Sequence, residues 1–174
     1  NNPNSKYYVA NICNYRPEEK YEFVISMFHV ISYQNKNEDV INAFKTANTA
    51  LEKEGIFLFD VWYGPGVLHD LPSPRIRKVG NDDVIAIRFA QPVMHVNTNV
   101  VDVNYEVHVI GKNDNSVKRM EEVHRMRYFF APEIEEYLCE TGFELLTILD
   151  CDNLESPTFD SWTAYFIARK IREL

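Results

Sequence analysis

Two apolar runs of the chain each end in side chains that can do acid–base chemistry. Ser26 to His29 close the run 22–30, and Asp60 lies near the end of the run 56–63. A histidine with its ordinary pKa of about 6.5 can take a proton from a hydroxyl or an amine. Asp60 can orient such a group. The alternative interpretations are structural. His29 would cap the end of its strand by hydrogen bonding, and Asp60 would cap the turn after residue 63.

Aromatic and basic side chains could complete a substrate site. Trp62 and Tyr63 end the second run, and aromatic rings suit the faces of sugars and nucleotides. Arginine is the bidentate partner of phosphate and carboxylate groups, and a basic cluster also lies at residues 75–78. We predict that five residues bind an acidic or nucleotide-linked substrate: Trp62, Tyr63, His124, Arg125 and Arg127. The alternatives to substrate binding are that Trp62 packs in the core and that the arginines lie on a solvated face, paired with acidic side chains.

A strand–helix–strand unit is predicted to position these residues. The nearly continuous apolar run 22–30 is typical of a strand buried on both faces of a parallel sheet. Helical spacing follows, with Asn37 predicted as the N-cap and Gly55 as the end of the helix. Residues 56–63 predict the second parallel strand, reached by a right-handed crossover. A further strand is predicted at residues 6–12.

The second part of the chain has a different pattern. Residues 67–83 resemble a loop, and period-two alternation over residues 84–130 predicts antiparallel strands with a turn at residues 111–115. A helix is then predicted from Pro132 to Gly142. Two more strands are predicted at residues 143–150 and 162–169.

Three segments, in this order, resemble the C-terminal two-thirds of a class I S-adenosylmethionine-dependent methyltransferase. They are residues 23–33, residues 51–60 (the family's Leu-x-x-Gly-Gly, apolar strand and acid) and residues 137–144 (its Leu-x-x-Ala-Gly-Phe). The likeness is closest to small-molecule enzymes that modify sugars and glycans. It implies an α/β fold: a partial Rossmann-like sheet with an inserted antiparallel β-sheet. The expected organisation is a single domain, 1–174, with a core from 6–63 and 131–170 and the insert at 84–130.

The resemblance also implies a cofactor and a reaction. S-adenosylmethionine would supply a methyl group for in-line transfer to an oxygen or nitrogen of a small molecule, and positioning would be the main contribution of the protein. The implied cofactor-binding residues are Asn11, Ile12, Ser26, Met27 and Phe28. The implied catalytic residues are His29, Tyr33 and Asp60. Asn11 stands where the family has an Asp that contacts the adenine amino group, and its carbonyl can still accept that hydrogen bond.

The chain departs from the family at its beginning. The glycine-rich turn after the family's first strand and the acid that ends the second strand have no counterpart. Residues 1–5 resemble a frayed end, a processing scar or the edge of a trimmed chain. Strand 22–28 would then have an open apolar edge. We expect a homodimer, or contact with an N-terminal segment of a larger protein. The alternative function is a non-catalytic binding or dimerisation module derived from a methyltransferase fold.

Composition narrows the partners further. The 174 residues carry 18 basic and 26 acidic side chains, a net charge of −8, which argues against binding to nucleic acid. No run approaches the roughly 18 apolar residues of a membrane span, so we expect no membrane partner. Three cysteines without paired or zinc-binding spacing favour a reducing, cytoplasmic compartment and no metal.

Overall fold

The predicted strand–helix–strand unit is present in the computed structural model, which describes residues 6–174; residues 1–5, the predicted frayed end, lie outside it. Strand β1 (Tyr21–Ser26) is followed by a 3₁₀ helix (Ile31–Tyr33), helix α1 (Asn37–Ala50) and strand β2 (Leu51–Tyr63). β1 and β2 pair in parallel. The crossover between them therefore occurs where the sequence predicted it.

The antiparallel part of the sheet is larger than predicted. After helix α2 (Gly64–His69), four strands form a meander: β3 (Arg75–Gly80), β4 (Val84–His95), β5 (Val100–Gly111) and β6 (Val117–Phe129). α2 and β3 both lie within the region that was predicted as a loop, residues 67–83. β3 lies at the outer edge of the sheet, and all of its residues are exposed. The strand therefore has no buried apolar face that an alternating sequence pattern could reveal.

The last three elements agree with the sequence analysis. Helix α3 (Ala131–Glu140) has a proline in its first turn, and Gly142 follows its end with φ of 79°. Strands β7 (Phe143–Asp150) and β8 (Thr163–Lys170) pair antiparallel. The strand order is β3-β4-β5-β6-β2-β8-β7, with β1 also on β2. The predicted α/β fold class, a Rossmann-like sheet with an antiparallel β-sheet attached, is confirmed.

Strand β2 has two neighbours on the same side. Leu51 and residues 56–59 pair with β1, whereas only Trp62 and Tyr63 pair with β6. On its other side β2 pairs with β8 over residues 56–62. β1 therefore ends next to the point where the antiparallel part joins, which creates a gap in the sheet at the carboxyl end of β1.

The core lies on one face of β2 and β8, under α1 and α3. Alternate residues of a strand share a face, and Phe57, Phe59 and Val61 are all at most 2% exposed. The Phe59 ring lies 5.0 Å from Phe44 of α1 and stacks on Phe166 of β8 at 5.5 Å. Each such buried phenylalanine contributes about 2 kcal/mol. Leu58, Asp60 and Trp62 alternate with these residues and face the other side of β2, where they are available for other contacts.

β1 has an open edge, as predicted. Among residues 6–174 no strand pairs with the side of β1 that faces away from β2. Phe23 and Ile25 are 63% and 60% exposed. Within the same residues, no helix has the length and apolar character needed to span a membrane.

Several sequence-based predictions of element ends are wrong. Residues 6–12 form no strand, because they have no partner strand; a turn begins at residue 12. Asn37 does not cap α1: it is the first helical residue, and its Oδ1 accepts a hydrogen bond from Arg127. α1 ends at Ala50 rather than at Gly55. Gly55 instead permits a close approach of β1, since a Cβ there would lie 3.1 Å from the Glu22 carbonyl oxygen.

Lys170 secures the end of α1. Its side chain is 1% exposed, and Nζ donates to the carbonyls of Asn48 and Leu51, both at 2.8 Å, and to Glu173 at 2.9 Å. A cation at this place satisfies the carbonyls at the helix C-terminus and their negative dipole end.

We predict that Lys170→Met destabilises the chain by about 3 kcal/mol, because buried carbonyls lose their donor. Urea unfolding measures the change. Lys78→Met is the control, since the exposed Lys78 side chain makes no hydrogen bond or ion pair within residues 6–174. It should change the free energy of unfolding by less than about 0.5 kcal/mol. Equal unfolding curves for the two variants would contradict the assignment.

Candidate active site at the ends of β1 and β2

Asp60 holds the turn that ends β1. β1 stops at Ser26, four residues earlier than predicted, because Phe28 and His29 adopt left-handed backbone conformations with φ of 64° and 62°. Such conformations are unfavourable for residues other than glycine and need support from their surroundings. Asp60, 4% exposed, gives that support: its Oδ1 accepts the His29 backbone N–H at 2.9 Å.

The same carboxylate lies beside the His29 ring. Asp60 Oδ2 is 2.8 Å from His29 Nδ1, although the contact does not have the geometry of a hydrogen bond. The sequence analysis predicted both residues as catalytic, and the structure brings them together. The alternative interpretation of Asp60, a cap for the turn after residue 63, is wrong, since its hydrogen bond goes to His29.

Two further side chains lie near Asp60 and were not predicted. Tyr165 of β8 is directly opposite Asp60 in the sheet, and Cys151 follows β7. Burial, assisted by the charge of Asp60, raises the pKa of the Cys151 thiol. The neighbouring Cys151 is the main cause that raises the pKa of Tyr165. No local pattern indicates these residues, because their position depends on the register of β8.

Tyr33 is carried by the 3₁₀ helix, which is fixed to β2. The buried Ser32 hydroxyl accepts the Trp62 backbone N–H at 2.9 Å. The Tyr33 hydroxyl then lies 2.5 Å from Nδ1 of His124 on β6. Burial, followed by the nearby Tyr105 and Glu122, raises the pKa of Tyr33. The structure thus joins Tyr33 to His124, whereas the sequence predicted them separately as a catalytic and a substrate-binding residue.

A cavity of about 390 Å³ lies along β1 and α1. Three of the five predicted cofactor-binding residues line it: Ile12, Ser26 and Met27. The buried Ser26 Oγ has no hydrogen-bond partner within residues 6–174. The rest of the wall is mainly apolar and includes Val24, Val30, Ile31, Ala43, Ala47 and Phe57.

The other two predicted cofactor-binding residues lie outside this cavity. The Asn11 Oδ1 accepts the backbone N–H of Cys13 at 2.9 Å, so the carboxamide stabilises a local turn. The Phe28 side chain is 88% exposed. Binding of the cofactor by either residue stays a prediction.

The remaining predicted substrate-binding residues are dispersed. Trp62 packs edge-on against Trp162 at 4.9 Å, and Tyr63 is partly buried against the core. Arg125 is exposed and forms an ion pair with Asp102 at 2.9 Å. Arg127 is 6% exposed and donates to Asn37, Glu133 and Tyr137. These contacts do not include the His29–Asp60 pair, and substrate binding by the four residues stays a prediction.

Comparison with known proteins gives a distant sequence relative and a consistent fold. No family model matches the chain. Over 156 residues it is 25% identical to "Putative methyltransferase YqeM" of Bacillus subtilis (strain 168), with 89% of this chain and 61% of that protein aligned. The chain therefore spans about three fifths of the length of this relative.

Solved structures match almost the whole chain. A S-adenosylmethionine-dependent methyltransferase from Clostridium acetobutylicum ATCC 824 has a TM-score of 0.74 at 18% identity, over 93% of this chain and 63% of that one. DesVI of Streptomyces venezuelae has a TM-score of 0.75 at 18% identity, over 95% and 65%. The sugar N-methyltransferase KedS8 of Streptoalloteichus sp ATCC 53650 has 0.74 at 16%, over 94% and 61%. The chain therefore has the fold of S-adenosylmethionine-dependent methyltransferases, and the resemblance seen in the sequence is confirmed for the fold.

Proposed function

We propose that the chain acts in the transfer of a methyl group from S-adenosylmethionine to an oxygen or nitrogen of a small molecule. The observation that carries this proposal is the His29–Asp60 pair at the carboxyl ends of two adjacent parallel strands. Ligands of open α/β sheets bind at such ends. The methyltransferase fold of the chain and the names of its structural neighbours, sugar-modifying enzymes among them, support the same reaction.

The cavity along β1 suits part of the cofactor. Its largely apolar wall fits a flat ring such as adenine, and the partnerless Ser26 hydroxyl is a group that a ligand could satisfy. Ile12 and Met27 would contact the ring. When bound, the cofactor supplies a methyl group made electrophilic by its positive sulfur.

His29 is the proposed proton acceptor. Asp60 occupies the side of the ring that carries Nδ1, which leaves Nε2 to take a proton from the incoming amine or hydroxyl. Asp60 also supports the left-handed turn and so fixes the position of the ring. A proton acceptor contributes about 10²-fold or more, and orientation of the two reactants contributes the larger part.

Three arginines favour a substrate with an acidic portion. The side chains of Arg75, Arg77 and Arg88 make no ion pair or hydrogen bond within residues 6–174, although the Arg88 guanidinium lies over the Tyr105 ring. The exposed Arg119, Arg125 and Arg169, in contrast, each have a carboxylate partner. Arg77 and Arg88 lie directly opposite each other on β3 and β4. Such a like-charged pair is unfavourable until an anion binds. Together with the sugar-modifying neighbours, this supports a sugar or nucleotide-linked acceptor.

The second candidate function is a non-catalytic binding or dimerisation module. Exposed Phe23 and Ile25 on the open edge of β1 favour it, because an unpaired apolar edge readily pairs with another chain. A homodimer, or contact with a further N-terminal segment, would cover this edge in either function. Cofactor binding separates the two candidates.

We predict that the chain binds S-adenosylhomocysteine with micromolar affinity in a calorimetric titration. Ser26→Ala should weaken binding about 5-fold, because one hydrogen bond is worth about 1 kcal/mol. Ser116→Ala is the control, since Ser116 lies in an exposed turn. Absence of binding heat would contradict the cofactor proposal and favour the module.

We predict that His29→Gln lowers kcat about 100-fold, since it removes the proton acceptor. The assay is transfer of labelled methyl from S-adenosylmethionine to nucleotide-linked amino and hydroxy sugars. His95→Gln is a matched control, because His95 also contacts a carboxylate, Asp102, but on the antiparallel part. If the two variants lose activity equally, the assignment of His29 is wrong.

We predict that Arg77→Gln and Arg88→Gln each weaken binding of a nucleoside diphosphate about 10-fold, and that added salt weakens binding by the parent chain as well. Arg119→Gln, whose guanidinium is already paired with Glu106 and Glu121, should bind like the parent. Unchanged affinity in both test variants would locate the anion elsewhere.

A further inference from the structure

Three side chains form a continuous chain from the 3₁₀ helix to β6. The Tyr33 hydroxyl lies 2.5 Å from His124 Nδ1, and His124 Nε2 lies 3.2 Å from Glu122 Oε2. Glu122 and His124 share a face of β6 because they are two residues apart. Tyr33 contacts the same face of β6 from the 3₁₀ helix that follows β1.

The chemistry of the three groups sets the direction of the hydrogen bonds. An ionised carboxylate only accepts, so Glu122 requires a proton on His124 Nε2. In a neutral imidazole Nδ1 is then an acceptor, and the Tyr33 hydroxyl must donate to it. The Tyr33 oxygen is left with its lone pairs facing away from His124. To any other molecule it presents an acceptor and no donor.

Neighbouring residues hold this arrangement. The Tyr105 ring of β5 packs edge-on against the His124 ring at 5.0 Å, and the Arg88 guanidinium of β4 lies 4.9 Å from the Tyr105 ring centre. Burial and the nearby Glu122 raise the pKa of Tyr33, which keeps the hydroxyl protonated and donating. Tyr33 is 43% exposed, so a small molecule can reach its oxygen.

We propose that Tyr33, directed by His124 and Glu122, selects and aims the methyl acceptor. This inference rests on the proposed methyl transfer. The Tyr33 oxygen accepts a hydrogen bond from the N–H or O–H of the acceptor and thereby turns the reactive lone pair away from itself. The acceptor class is a primary or secondary amine or a hydroxyl, each of which has an N–H or O–H to donate, and an ether oxygen, which has none, is rejected. His124 and Glu122 are positioning residues, because they act through Tyr33.

The hydrogen-bond direction is testable without substrate. In the full chain with ¹⁵N-labelled histidine, NMR at neutral pH should show the His124 proton on Nε2. Glu122→Gln should give a mixture of tautomers, since an amide can donate or accept. Glu121→Gln is the matched control, because the adjacent Glu121 pairs with Arg119 on the opposite face. A proton on Nδ1 in the parent chain would overturn the inference.

Acceptor selection is tested by competition. With S-adenosylhomocysteine present, the parent should bind a nucleotide-linked sugar with a free acceptor hydroxyl at least 10-fold more tightly than its O-methyl ether, which has no hydrogen to donate. Tyr33→Phe should abolish the preference, and Glu122→Gln should reduce it, while Glu121→Gln keeps it. A purely structural bond between Tyr33 and His124 would leave the preference intact in Tyr33→Phe, and that result overturns the inference.

Failure of the proposed function gives a different pattern. A parent chain that neither binds S-adenosylhomocysteine nor transfers methyl groups fails as an enzyme whatever the His124 tautomer. If the parent binds the cofactor, and Tyr33→Phe and Glu122→Gln transfer methyl groups as well as the parent does, the proposed function stands. Only this inference then fails.

Discussion

The register of β2 is the constraint on which the site depends. This strand pairs in parallel with β1 and then β6 on one side, and antiparallel with β8 on the other. The pairing sets Asp60 beside the turn at His29 and the Trp62 amide beside Ser32. A slip of one residue would place Phe59 in the site and Asp60 in the aromatic core. The buried phenylalanines that face α1 therefore also fix the position of the polar site on the opposite side of the strand.

The junction of the parallel and antiparallel parts of the sheet brings distant residues together. β1 ends before β2 does: Phe59 is the last residue of β2 that pairs with β1, and β6 pairs on the same side from Trp62, three positions later. The 3₁₀ helix fills the resulting gap and contributes Tyr33, which contacts β6. Residues about 90 positions apart in sequence thus share one cluster. The antiparallel part is not only an attachment to the fold: it supplies His124 and Glu122 to the proposed acceptor site.

Local sequence patterns predicted the helices and strands whose residues follow a regular apolar spacing. The apolar runs, the helix between them and the alternation after residue 100 predicted β1, α1, β2 and the β5–β6 hairpin. His29 and Asp60 were each predicted at the same edge of the sheet because each lies near the end of a parallel strand, and their contact is a finding of the structure. The end of β1 could not be predicted, since two left-handed residues without glycine exist only because Asp60 supports them. Residues 6–12 have a strand-like composition but no partner. Tyr165 and Glu122 were missed because cross-strand register and a contact across the gap decide their positions.

The central claim is that a ligand binds at the ends of β1 and β2, and mapping by NMR tests it most directly. Amide shifts of the full chain are recorded during addition of S-adenosylhomocysteine. The account predicts that the perturbed amides lie at the cavity and at the His29–Asp60 pair, in residues 10–12, 24–33, 43–50 and 57–63, with those of β3 and β4 unaffected. Perturbations confined to other parts of the sheet, or none at saturating ligand, would contradict it.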